Sequence, residues 1–164
     1  MARFKAKYSG VNSSPIGSPG GTVANKFMKA SAKNMKIGTW NARSVFAPGR
    51  LDNIVNEMSR LNVDILGVSD VRWPGSGRCA TSNGTFYYSG NNEPRHLYGV
   101  GVIVNKKFTG SVLNFTPYSD RVMMLQLKTH TGNMNVIQAN APTADKEDDE
   151  VENFILSLTI SLVG

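Results

Sequence analysis

The spacing of apolar residues divides the chain near residue 35. Before that point no period is sustained; after it, short apolar runs alternate with turn-forming clusters. "MKIGTWNARS" (Met35–Ser44) carries a short apolar run that ends at Asn41, with Lys36–Trp40 as its strand. After the turn "APGR", Leu51, Ile54, Val55, Met58 and Leu61 share one face at helical spacing, which predicts a helix over 51–62. "VDILGVS" (Val63–Ser69) is nearly continuous in apolar residues, as a buried strand is, so strand, helix and strand make a β-α-β unit.

That run stops at Asp70 and breaks into a turn at Trp73-Pro74-Gly75. Further strands are predicted over Gly84–Gly90, Tyr98–Lys106, Gly110–Tyr118, Asp120–Thr129 and Met134–Thr143, with a hairpin turn at His130–Asn133. "DDEVENFILSLTISLVG" predicts a closing helix whose first-turn acids suit its N-terminal dipole. Its apolar stripe is Val151, Phe154, Ile155, Leu158 and Leu162. The pattern completes one strand–helix layer and leaves little to cover its other face. It therefore implies a truncated domain over 35–164, with self-association through an uncovered sheet face.

Composition adds limits. With 164 residues, 40% apolar and 18% charged, the chain is long enough for one globular core. No run is long enough to span a membrane, and no apolar segment follows the basic N-terminus as a secretory signal requires. A lone cysteine, Cys79, excludes an internal disulfide and reads as a surface-loop thiol. These features fit an intracellular location, nuclear or cytoplasmic. Charge is uneven: residues 1–34 hold six basic side chains and no acid, so this Gly-, Ser- and Pro-rich stretch accounts for the whole net charge of +6. It reads as a flexible leader, either a solvated tail or a loose nucleic-acid tether. "DKEDDEVE" (Asp145–Glu152) packs six acids against one lysine and reads as a solvated face.

Hydrolysis of a phosphodiester needs a cation for the developing oxygen charge, a base for water and donors for the phosphate. Asn41 and Asp70 end two predicted strands on either side of one helix, so parallel pairing sets them at the same edge, where open α/β sites form. By spacing alone, two polar residues capping turns is the plainer reading.

The blocks "KIGTWNARSVFAPGRLDNIVNEMSRLNVDILGVSDVRWPGSG", "YGVGVIVN", "SDRVMMLQL" and "NVIQANAPTADK" closely resemble the endonuclease domain of RTE-type non-LTR retrotransposons. That group includes craniofacial development protein 2-like chains and belongs to the wider endonuclease/exonuclease/phosphatase fold. The resemblance runs from about Met35 to about Phe154 and covers about the first half of such a domain. It implies an α/β fold: a partial β-sandwich flanked by helices, the first half of a four-layer architecture. It further implies DNA as partner and Mg²⁺ as cofactor, with Mn²⁺ as a substitute.

Residue by residue, "TWN" is similar to the family's first motif, which makes Asn41 an orienting group for metal and phosphate. Asp70 falls where the family carries a metal-binding Glu, and is one methylene shorter. Asn140 in "QANAPT" falls where the family carries a phosphate-contacting Tyr. Arg121 in "SDRV" resembles an Arg that supports the edge of the site, pairing there with a carboxylate; its plainer reading is a surface arginine. Trp73-Pro74-Gly75 is a rim turn or a packing turn, with Arg72 or Arg78 able to reach phosphate. The family's later "GDFN" and Asp-His motifs do not occur in these 164 residues, and His96 and His130 read as exposed turn residues. The resemblance thus implies an endonuclease ancestry, with the chain as given inactive. A non-catalytic nucleic-acid-binding remnant is the alternative.

One expectation follows from charge. Deleting residues 1–34 should remove most low-salt DNA affinity, measured by anisotropy, and flatten its salt dependence. Unchanged affinity would assign binding to the folded face.

Overall fold

The computed structural model describes residues 35–93, 97–144 and 146–163, so the expected leader (1–34) and His96 lie outside the described residues. Strand β1 (Ile37–Asn41) pairs in parallel with β2 (Ile65–Ser69), in a register that sets Asn41 opposite Ser69. Helix α1 (Arg50–Arg60) is the crossover between them. It forms where the apolar period predicted it and buries Leu51, Ile54, Val55 and Met58 against Leu66, Val68, Phe86 and Ile103. Leu61, expected on the same face, lies beyond the last helical turn as the C-cap and is about half exposed.

Strand β2 is buried along nearly its whole length: Leu66 and Val68 join the α1 core, Ile65 faces a second core on the other side, and β5 (Val100–Asn105) pairs antiparallel along its free edge. Strand β4 (Gly84–Ser89) and the edge strand β3 (Ser76–Thr81) complete a five-stranded sheet of order β1-β2-β5-β4-β3. The apolar pattern did not predict β3. Its Ser, Gly and Arg have little intrinsic strand preference, and pairing with β4 (Cys79 opposite Phe86) extends it. Cys79 is accordingly not a loop thiol: it lies within β3, half-buried against the α1 core. Burial, and then the negative charge of Asp52, push its pKa up, which lowers its reactivity.

Strands β6 (Val112–Pro117), β7 (Val122–Lys128) and β8 (Asn133–Ala139) form a second, antiparallel sheet. Met123, Leu125 and Leu127 of β7 meet Ile65, Tyr87, Val100, Val102 and Val104 of the first sheet, and this is the inter-sheet core. Helix α2 (Asp148–Val163) lies against β7 and takes the opposite face of the second sheet. The described residues therefore form four layers, helix–sheet–sheet–helix. Helix α2 covers the β7 part of the face expected to lie uncovered, while its own Ile155, Leu156, Ile160 and Leu162 stay exposed, as expected of an apolar face without a further layer.

The packed face of α2 differs from the predicted stripe. Val151, Phe154 and Leu158 are half-buried and Ser161 is buried, whereas Ile155 and Leu162 point to solvent. Among the described residues no helix is long and apolar enough to cross a membrane.

The two sheets pack tightly where Gln138 of β8 lies over Gly67 of β2. A Cβ built on Gly67 would overlap the carboxamide oxygen of Gln138, so only glycine leaves room for that side chain. Gln138, itself buried, uses the space to donate from Nε2 to Ser69 Oγ at 3.2 Å. Gly67→Ala should therefore cost about 1–3 kcal/mol in urea unfolding. Truncating Gln138→Ala in that background should recover part of the loss. A neutral Gly67→Ala would show that the sheets are not held at this point.

Candidate functional site

Strands β1 and β2 run in parallel and end level with each other, so both chains leave the sheet at one edge. Their exit loops are stitched together by Ala42 N–H to Ser69 O at 3.0 Å and Val45 N–H to Val71 O at 3.1 Å. A second seam joins Val71 and Arg72 to Gly99 and Tyr98 in the loop before β5, at 2.9 and 2.8 Å. Trp73 packs edge-on against Phe86 and Tyr88 and donates from its indole to Val45 O at 3.1 Å. It is a packing residue that pins both loops to the core. Arg72 and Arg78 are exposed.

This edge concentrates unusual backbone. Arg43 (φ 51°), Ser44 (φ 100°), Asp70 (φ 56°) and Arg72 (φ 59°) all take positive φ without being glycine. Such conformations persist where surrounding bonds over-determine them, and they gather at ligand sites. The half-buried Asp70 accepts at Oδ1 from Asn140 Nδ2, 3.0 Å away and 70 positions later in the chain. The fold brings these two site residues together. Asn41 reaches the same edge but is exposed, and its side-chain oxygen accepts the Arg43 N–H at 2.9 Å, closing an Asx turn in its own loop. The side chain bonded to Asp70 is that of Asn140, where Asn41 was expected to face it.

Asn140 is held by Arg121. The two main chains bond through Asn140 N–H to Arg121 O at 2.9 Å, and Arg121 Nη1 donates to Asn140 O at 3.0 Å. Arg121 is 7% exposed, so it is not the ordinary surface arginine of its plainer reading. Its guanidinium lies over the Tyr98 ring, 3.7 Å from the centroid, and Nη2 pairs with the Glu150 carboxylate. Lys146 Nζ donates to Tyr98 Oη at 2.9 Å and stands 3.9 Å from Glu150. Partial burial pushes the Glu150 carboxyl up, but Arg121, Lys146 and the Tyr98 hydroxyl outweigh that and hold it below its ordinary value.

The acidic run is therefore not wholly a solvated face, because Glu150 folds back onto the site. Tyr98 and Glu150 were not singled out from the sequence. The legible signal for Glu150 was its spacing: it stands one helical turn before Phe154, on the side of α2 that packs. His130 is an exposed turn residue, as expected. A cleft lined by Tyr98, Arg121, Glu150 and Phe154 opens beside this cluster.

Among the described residues, no group of three or more His, Cys, Asp or Glu gathers as a metal cage. The donor set suits a hard cation only at its minimum. Mg²⁺ can sit on one or two carboxylates and keep its waters, and Asp70 supplies one.

A model of the Endonuclease/Exonuclease/phosphatase family matches residues 38–158. Craniofacial development protein 2 of Tragulus javanicus is 40% identical over 118 residues, which cover 72% of this chain and 20% of that protein. The Bos taurus protein of the same name is 39% identical over 118 residues, with the same coverage. The chain thus spans about a fifth of the length of the curated relatives it matches. With a family match that runs from the middle of β1 into α2 and includes Asn41, Asp70, Arg121 and Asn140, the chain belongs to the Endonuclease/Exonuclease/phosphatase family.

Proposed function

We propose that the edge at Asp70 is the cation- and phosphate-facing edge of a Mg²⁺-dependent DNA endonuclease domain of retrotransposon type, and that these 164 residues bind there without turnover. The observation that supports this reading is the Asp70 carboxylate at the shared end of parallel β1 and β2, fixed through one oxygen by Asn140. In this reading Asp70 holds the cation with one oxygen. Asn140 orients that carboxylate, Arg121 fixes Asn140, and Asn41 shapes the loop beside them. A bound cation would neutralise charge on the phosphoryl oxygens. Asp for Glu withdraws the ligand by one methylene, and Mg²⁺ tolerates such a displacement poorly. Asn for Tyr removes the phenol's reach. Among the described residues no group of three His, Cys, Asp or Glu side chains gathers that could supply both a fuller cation site and a base.

The decisive measurement is a Mn²⁺ titration followed by electron paramagnetic resonance, on the chain and on Asp70→Ala, beside an assay for nicking of supercoiled DNA. One weak site lost in Asp70→Ala, with no nicking by either protein, is the expected result. Binding untouched by the substitution would remove Asp70 from the site. Nicking that disappears in Asp70→Ala would overturn the claim of inactivity.

A second reading, a non-catalytic nucleic-acid binder, is favoured by Arg43 and Arg72. Both are exposed and stand on the two stitched loops that flank Asp70. Phosphate contacts set affinity without reading sequence. Substituting either arginine by Ala in the full chain should reduce the slope of log affinity against log salt by about 0.9 for duplex DNA. An unchanged slope for both would place the phosphate contacts elsewhere.

A further inference from the structure

We propose that Glu150, in the first turn of α2, is a positioning residue for Asp70, acting through Arg121 and Asn140. The inference rests on the reading of Asp70 as a cation ligand. Each link is a direct contact between groups of fixed shape. Glu150 pairs with Arg121 Nη2, Arg121 Nη1 donates to Asn140 O at 3.0 Å, and Asn140 Nδ2 donates to Asp70 Oδ1 at 3.0 Å.

The geometry makes Glu150 more than a counter-charge. A guanidinium is a rigid planar fork, so a carboxylate that grips one arm also aims the other. The Tyr98 ring fixes the plane from one side, at 3.7 Å. What remains is rotation within that plane, and the Glu150 carboxylate sets it. The arm so aimed holds the Asn140 main-chain carbonyl just beyond the end of β8, beside the one backbone bond, Asn140 N–H to Arg121 O at 2.9 Å, that continues the ladder there. From the main chain so held, the Asn140 side chain donates to Asp70 Oδ1. Lys146 and the Tyr98 hydroxyl hold Glu150 in turn. The docking of α2 on the outer face of the second sheet is thereby transmitted to a carboxylate at the far edge of the first. Outer groups of this kind commonly change metal affinity by factors of ten or more when removed.

The test uses the full chain carrying Glu150→Gln, which keeps size and removes charge, and Glu150→Asp, which keeps charge and withdraws it. Two quantities are read: the side-chain amide proton pair of Asn140 by nuclear magnetic resonance, assigned by its loss in Asn140→Ser, and Mn²⁺ affinity at the Asp70-dependent site. In the folded variants we expect the Asn140 pair to move toward free-carboxamide positions and Mn²⁺ affinity to fall by about tenfold. Glu150→Asp should give the same directions with smaller size, and serves alone if Glu150→Gln does not fold. A simple structural ion pair would shift the melting temperature and leave the Asn140 pair in place; that result overturns the proposal. Movement of the Asn140 pair with unchanged Mn²⁺ affinity also overturns it, because Asp70 would then be positioned by something else. Absence of Asp70-dependent Mn²⁺ binding in the parent chain would instead fail the reading of Asp70 as a ligand. The amide signal would still report whether Glu150 orders Asn140.

Discussion

The passage of β8 across β2 at Gly67 is the constraint on which the site depends. A strand alternates its side chains, so Gln138 and Asn140 point the same way from β8 and its exit. Gln138 lies over Gly67 and bonds Ser69, and that placement brings the end of β8 over the end of β2, within reach of Asp70, the residue after Ser69. A buried carboxamide is costly unless its donors and acceptors are used, and the Ser69 hydroxyl takes one donor. The packing of the two sheets and the geometry of the edge are therefore one fact seen at two places.

Around this contact the edge is stiffened in a way that a folding core does not need. Four non-glycine residues adopt left-handed backbone there, each at a cost of order 1–3 kcal/mol. Backbone bonds between the exit loops of β1 and β2, and onward to the loop before β5, hold them in it. Trp73 adds an anchor by sinking its ring against Phe86 and Tyr88 while its N–H reaches the neighbouring loop. The outcome is a rim on which two exposed arginines flank one carboxylate. Preorganisation of this kind is what a binding edge for a polyanion requires.

Family membership and the chain's own chemistry point in partly different directions. The family is one of phosphodiester hydrolases, and the match to it spans the residues at the edge. Yet the substitutions at positions 70 and 140 each shorten or weaken the group the resemblance calls for. Beside them the edge carries a partly buried ion pair, with Arg121 stacked on Tyr98 and paired with Glu150. Desolvation of the arginine offsets part of the attraction in such a pair, so its effect is on geometry more than on net stability.

The amino-acid sequence by itself determined the local elements and the edge. The period of Leu51, Ile54, Val55 and Met58 specified α1, and the unbroken run before Asp70 specified a buried β2. Their order required a parallel pair that delivers Asn41 and Asp70 to the same end. Strand β3 was not legible, because its residues have no intrinsic reason to be extended until β4 offers a ladder. The packed face of α2 was not legible either, because helical spacing shows an apolar stripe but not which turn of it a sheet will meet. Long-range partners were beyond any local pattern. Asp70 meets Asn140 across 70 positions and Arg121 meets Glu150 across 29, and only the stacking of two sheets and a helix could select those pairs from the other polar groups in the chain.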